Sequence, residues 1–372
     1  MTSASAPRQK PASNQRCASP IPSPEQAFPD IDDALERIAD HCNAYRGGIL
    51  WRSLAQLGLN LLIFLALVAA SYGLVKSGYW PLSLVVAVPA AGMLVRIFIV
   101  QHDCGHGSFF QSKLANHTVG MVLSVLTFTP YGYWRDSHNR HHATSGNLDR
   151  RGIGGVDTLT VSEFKRLSKF KQRTYKFYRH PLVLLVFGPP IYFILMQRLP
   201  FANPMPYSEI YVGMKTSRIW QSVMTLNLAL ILFYGTLAFI FGPIATLIVF
   251  FPIVSLSGII GAWLFYIQHQ YEETYWRPTK DWDYKRAALF GSSHYALPPV
   301  LQWFTGNIGL HHIHHLCSLI PNYRLQECYD ASDDLKKLPR MSIVDSFKSA
   351  RLTLWCEQRK KLVSFSALRL TA

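Results

Sequence analysis

Charge is scarce in this chain. Only 16% of its 372 residues are charged, against roughly 25% in soluble domains. Acid is the scarcer sign, with 22 Asp and Glu against 37 Lys and Arg and a formal net charge of +15. The apolar residues, 49% of the total, fall in long runs. That distribution suits an integral membrane protein, and the surplus of Lys and Arg reads as a cytoplasmic charge bias. No nucleic-acid-binding motif accompanies it, so no nucleic-acid partner is expected. Paired cysteines are also lacking. Cys17, Cys42, Cys104, Cys317, Cys328 and Cys356 contain no C-x-x-C pair, which leaves out the usual iron–sulfur and structural zinc patterns. Their scatter suits reduced thiols. No signal-type apolar core stands near the N-terminus. Residues 1–30, rich in Ser, Ala, Pro and Gln, read as a disordered tail.

Four apolar runs are long enough to cross a bilayer, at about residues 54–75, 82–100, 219–241 and 244–267. Short breaks join them in pairs, so the expected fold is all-α, with four transmembrane helices in two hairpins. Ile31–Arg46 has helical spacing and reads as a short cytosolic helix. Residues 119–128 and 181–196 are apolar but too short to span, and the second contains Gly188-Pro189-Pro190. The first reads as interfacial or re-entrant, the second as interfacial. If only the four long runs cross, the segments after the second and fourth share one side, and basic charge makes that side cytoplasmic. Both termini then lie in the cytoplasm. A membrane domain over 31–330 and a cytosolic C-terminal tail over 331–372 follow. Lys165, Arg166, Lys169, Lys171, Arg173, Lys176 and Arg179 crowd one polar stretch. Anionic lipid heads are one partner for it, and an acidic electron carrier is another.

Histidine is the residue that departs most from chance. His102 and His106 are i, i+4 apart; His138, His141 and His142 are i, i+3, i+4; so are His311, His314 and His315. On helices, each set projects from one face. At this histidine content a single H-x-x-H-H arises by luck in roughly one sequence in fifty, so two beside an H-x-x-x-H are not chance. His312 points elsewhere on its helix and reads as a residue behind the ligands. His269 stands after the fourth run as His102 stands after the second, and on spacing alone it is as readily structural as ligating. Eight imidazoles exceed one tetrahedral zinc. They suit two metal ions of higher coordination number with open positions for O₂, and iron fits best. Asp103, Asp136 and Glu272 lie beside these residues; they either orient imidazole N–H groups or face solvent.

His102-Asp103-Cys104-Gly105-His106, His138-Asn139-Arg140-His141-His142 and His311-His312-Ile313-His314-His315 resemble the three histidine boxes of the membrane fatty acid desaturase family. The likeness covers roughly residues 50–330. His142-Ala143-Thr144-Ser145-Gly146-Asn147 and Gly306-Asn307-Ile308-Gly309 are most similar to bacterial acyl-lipid desaturases. The resemblance implies a cytosolic helical cap holding a non-haem di-iron site, with O₂ as co-substrate and a membrane lipid acyl chain as substrate. It implies His269 as a ninth ligand and suggests Asn307 as a residue holding one iron through water. No His-Pro-Gly-Gly segment of a fused cytochrome b5 is present, so a separate donor of ferredoxin or cytochrome b5 type is implied. The bacterial inner membrane is the expected location.

The chemistry agrees. A C–H bond midway along an alkyl tail has no acidic proton, so acid–base catalysis cannot break it, and a redox cofactor must. Loss of a second hydrogen gives an alkene, whereas oxygen transfer gives an alcohol. A hydroxylase or ketolase of the same superfamily is therefore the nearest alternative. A histidine-rich metal transporter or sensor is the alternative of another class, but the four runs offer little polarity at mid-membrane beyond Asn227.

Overall fold

The computed structural model describes residues 28–152, 155–200 and 216–370. Most of the expected tail, residues 1–27, lies outside them. Its end does not: Phe28 is buried, and Asp30 caps the first helix through Asp33 N–H. That helix, α1 (Ile31–Asn43), buries Ala34, Leu35, Ile38 and Cys42. This is the i, i+3, i+4 stripe of an amphipathic helix.

Four of the described helices are long and apolar enough to span a membrane: α2 (Leu50–Lys76), α3 (Trp80–His106), α7 (Thr216–Phe241) and α8 (Pro243–His269). Each extends the run expected from hydropathy, two of them by a turn or more at one end. Backbone bonds must close internally in hydrocarbon, so helix persists through polar residues at both borders. The turn after α2 uses Gly78 at φ +82°, and the turn before α8 uses Gly242 at φ +92°. Both lie in the left-handed region that favours glycine. α3 is the central element. Ala87, Ala90, Leu94 and Ile97 pack with Phe64 and Val68 of α2 and with Val249, Ile253 and Val254 of α8. Its small residues let both neighbours approach.

Arg96, near the end of α3, is held by two neighbours. Its Nε donates to Asn60 Oδ1 at 3.0 Å, and its guanidinium lies over the Trp303 ring at 4.3 Å. The segment at 119–128 belongs to a longer helix, α4 (Lys113–Thr127), capped by Ser112. Helix α5 (Tyr131–Thr144) follows. The 181–196 segment is a π-helical turn, Val183–Phe187, continued by a helix over Gly188–Ile194. It meets α6 (Lys169–Tyr178) at a 57° bend.

Two expectations change. The fold is mostly helical but not wholly so: Leu159–Thr160, Leu354–Cys356 and Lys361–Val363 form a small sheet, and His294–Tyr295 pairs with Arg340–Met341. These strands are two or three residues long, too short for any period to register. They also tie residues 331–370 to the rest of the protein. Leu335, Met341, Leu354 and Trp355 are buried, so this segment packs as part of the body rather than trailing as a tail.

The basic stretch divides. Lys165, Arg166, Lys169, Lys171, Arg173 and Lys176 are exposed. Arg179 is 1% exposed and donates to Asp157 O, Thr158 Oγ1, Gln270 Oε1 and Leu352 O. It stitches the 157–179 loop to the end of α8 and to the C-terminal segment. Arg179→Ala leaves those buried acceptors without their donor, at about 1–3 kcal/mol for each group stranded. The expected result is a clear fall in thermal unfolding temperature; an unchanged melting temperature would refute the role.

Candidate metal centre

Four helix ends converge. The C-terminal turn of α3 carries His102 and His106; α5 carries His138, His141 and His142. His269 closes α8, and His311, His314 and His315 lie on α9 (His311–Leu316). Eight of these side chains fall into two groups of mutually close ligand atoms. His102, His106, His138, His142 and His314 form one; His141, His269 and His315 form the other, every ligand atom within 4.8 Å of the rest of its group. His311 joins the second through His269, Nε2 to Nε2 at 3.0 Å.

The contacts between rings suit a metal site. His141 and His269 approach at 3.0 Å between Nε2 atoms, His138 and His142 at 3.1 Å, His142 and His314 at 3.1 Å. A neutral imidazole has one N–H and one lone pair. A packed set of such rings cannot satisfy every nitrogen among themselves. His106 Nε2, His142 Nδ1, His311 Nδ1, His314 Nδ1 and His315 Nε2 are buried without a hydrogen-bond partner. Charging them is no remedy. Burial first, and neighbouring imidazoles after it, hold His138, His141, His142, His311, His314 and His315 well below the usual histidine range. Neutral rings with clustered lone pairs are a donor set that suits a divalent transition metal such as iron. The residues present therefore fit two metal ions.

Groups behind the rings fix their orientation. His269 Nδ1–H donates to the Gly291 carbonyl at 3.0 Å, which leaves the Nε2 lone pair facing the cluster. Asp103 is 1% exposed, with Oδ1 3.2 Å from His102 Nδ1. Its Oδ2 accepts from Asn322 N–H at 2.7 Å and from Asn322 Nδ2 at 2.8 Å. Asp103 thus links α3 to α10 (Asn322–Asp330) directly beneath a ring. Asp103→Ala strands two buried donors at about 1–3 kcal/mol each and releases His102, an effect of about 10–100-fold on metal affinity. Thermal unfolding and iron content of the purified variant check both; full iron occupancy would refute the orienting role.

The other residues singled out by sequence make the following contacts. Asp136 accepts from Arg135, and Glu272 pairs with Lys361. Asn307 is half-buried at φ +59° and gives its amide to the Asn322 carbonyl at 3.0 Å. His312 is buried behind α9 and stacks on His294 at 5.3 Å. Asn322 and the Gly291 carbonyl carried no signal in the sequence. Trp134 did: it stands four residues before His138 on one helix face and stacks on that ring at 4.7 Å.

A cavity of about 470 Å³ reaches the cluster at His102, His138 and His311. Most of its other lining is apolar, drawn from α3, α8 and the 183–197 segment.

A profile described as fatty acid desaturase matches residues 77–343. A fatty acid desaturase of Bacillus subtilis is 42% identical over 290 residues, 77% of this chain and 79% of that protein. An sn-1 acyl-lipid omega-3 desaturase (ferredoxin) of Synechocystis is 30% identical over 63% of each protein. An acyl-lipid omega-3 desaturase (cytochrome b5) of the endoplasmic reticulum in Arabidopsis thaliana is 28% identical over 84% of this chain and 77% of its own.

Proposed function

This chain belongs to the fatty acid desaturase family of oxidoreductases, and on that premise we propose that its clustered histidines hold a non-haem di-iron centre that desaturates a lipid-linked acyl chain with O₂ and two electrons. The observation that carries this reading is the convergence of two histidine groups at one end of an apolar cavity. His102, His106, His138, His142 and His314 would hold one iron. His141, His269, His315 and the adjoining His311 would hold the other. When bound, the pair supplies the oxidising power to remove hydrogen from an unactivated methylene.

The protein's own residues do the rest. Gly291 and Asp103 fix ring orientation. Leu94, Val95, Phe98 and Ile99 of α3, facing Val254 and Gly258 of α8, line a dry slot for hydrocarbon. Burial keeps water from the reacting carbons, and the slot sets which two methylenes lie beside the histidines.

The four long helices suit two hairpins, with the histidine side in the cytoplasm and residues 272–370 as its cap. The desaturase unit is then 31–330 together with the segment packed on it. The ferredoxin and cytochrome b5 in the relatives' names support a separate donor protein of one of those types. The Bacillus relative supports a bacterial plasma membrane.

The test is an acyl-lipid profile with double-bond localisation, from a host that lacks polyunsaturated lipids, supplied with iron and a competent reductant. The intact protein is expected to add a double bond that His311→Ala does not add. Hydroxylated or ketone products instead would move the assignment to a hydroxylase or ketolase.

A further inference from the structure

The cavity has depth and an opening, and the two lie on different walls. α3 lines it from His102 to Leu94, and α8 from Gln268 to Val254, about 21 Å along the second helix. The third wall is the segment from Val183 to Arg198. Its inner side is closed, with Leu185 and Pro189 buried against the cavity. Its outer side exposes Phe187 and Leu195, and Leu182 and Leu199 flank it, also exposed. Two residues belong to both sides: Ile191 and Met196 line the cavity yet are 53% and 38% exposed. Here the cavity meets the outside, and the outside is an apolar face beside membrane-spanning helices. Such a face covers itself with hydrocarbon, not water.

Charge in the lining is sparse, and the exposed cations of α6 stand outside it, where they suit the phosphates of lipid heads. Histidines apart, Arg140 is the one cation among the described residues lining the cavity. An acyl thioester of coenzyme A brings several phosphate charges and needs a basic entrance. A phospholipid needs none, because its head stays at the interface while one acyl tail bends inward.

We propose that the cavity opens to the bilayer at Ile191 and Met196, a lateral portal through which an acyl tail still esterified to a bilayer phospholipid enters. The Val183–Arg198 segment is then the wall that separates substrate inside from lipid outside. This deepens the desaturase reading and rests on it for the fate of the acyl tail, but not for its entry.

The test separates the two. The full-length protein is placed in phospholipid nanodiscs containing a phosphatidylcholine with a diazirine midway along one acyl tail, irradiated, and mapped by mass spectrometry. Cavity-facing Gly258 and Ala262 are expected to be labelled, with lipid-facing Phe251 as the internal reference. Ile191→Trp and Met196→Trp each narrow the portal and are expected to cut the cavity labels at least fivefold while the Phe251 label stays. Leu195→Trp, on the same outer face but outside the lining, is expected to leave all three unchanged. Cavity labels that survive both portal substitutions would overturn the proposal. So would labels obtained from a diazirine acyl-coenzyme A added to the water and not from the phospholipid. The readout needs neither iron nor turnover, so a protein that made no unsaturated lipid would sink the desaturase reading while this result still judged the portal.

Discussion

Replacing His142 by alanine is expected to abolish desaturation and to lower the bound iron, while His312→Asn keeps its iron. The two residues differ in what surrounds them. His142 Nε2 lies 3.1 Å from both His138 Nε2 and His314 Nε2, and its ring stacks on His315 at 3.9 Å, so it touches members of both groups. Its loss removes a donor and opens a void between the two histidine groups. Partners behind metal ligands cost about 10–100-fold when removed. A ligand at the junction costs more, so product is expected to fall by more than about 100-fold. Iron per molecule should fall below that of the intact protein in the same preparation. His312 sits in the same run of histidines, but its ring leans on His294 and enters neither group. Removing it costs packing on that side, felt in thermal stability. Iron analysis and lipid profiling of the two variants side by side check this. Equal iron loss in both would mean that the cluster is held by bulk packing and not by the named donors.

The contrast between these neighbours shows what the sequence made legible. Helical spacing separated His311, His314 and His315 from His312, because side chains three and four apart share a face. The spans were legible because hydrocarbon demands about twenty apolar residues in a row. What supports the site was not. Asn322 holds Asp103 from a distance of 219 positions along the sequence, and no local period encodes such a pairing. Gly291 acts through a backbone carbonyl that every residue possesses. Asp136 and Asp103 both stand close to histidines in the sequence, yet one turns to Arg135 and the other to His102. Only the packing of α3 against α10 decides between them. Arg179 likewise reads as one more cation in a basic stretch. Its burial depends on the loop and the C-terminal segment that fold over it.

Filling the cavity at Gly258 is expected to separate substrate positioning from metal binding. Gly258 lies on α8 eleven residues before His269, about 16 Å along the helix. It is buried, lines the cavity, and a Cβ there would stand 3.1 Å from Phe193 Cδ2. Phe193 is a side chain on the separate 183–198 wall, so a small group is accommodated by a slight shift. Leucine is not small. Gly258→Leu pushes its branched end into the slot and shortens the space beyond the histidines. A long acyl tail whose methyl end occupies that depth is then held too high. Misplacement of the reacting carbons by an ångström costs on the order of 100-fold, so long acyl tails are expected to lose about that much product. Shorter ones, which end above the obstruction, are expected to retain most of theirs. Iron content should match the unmodified protein, because no histidine or orienting partner touches Gly258. Lipid profiles over a range of acyl lengths, with iron measured in the same preparation, read both effects. A loss equal at every acyl length, with iron retained, would mean that the deep end of the cavity does not hold the substrate tail.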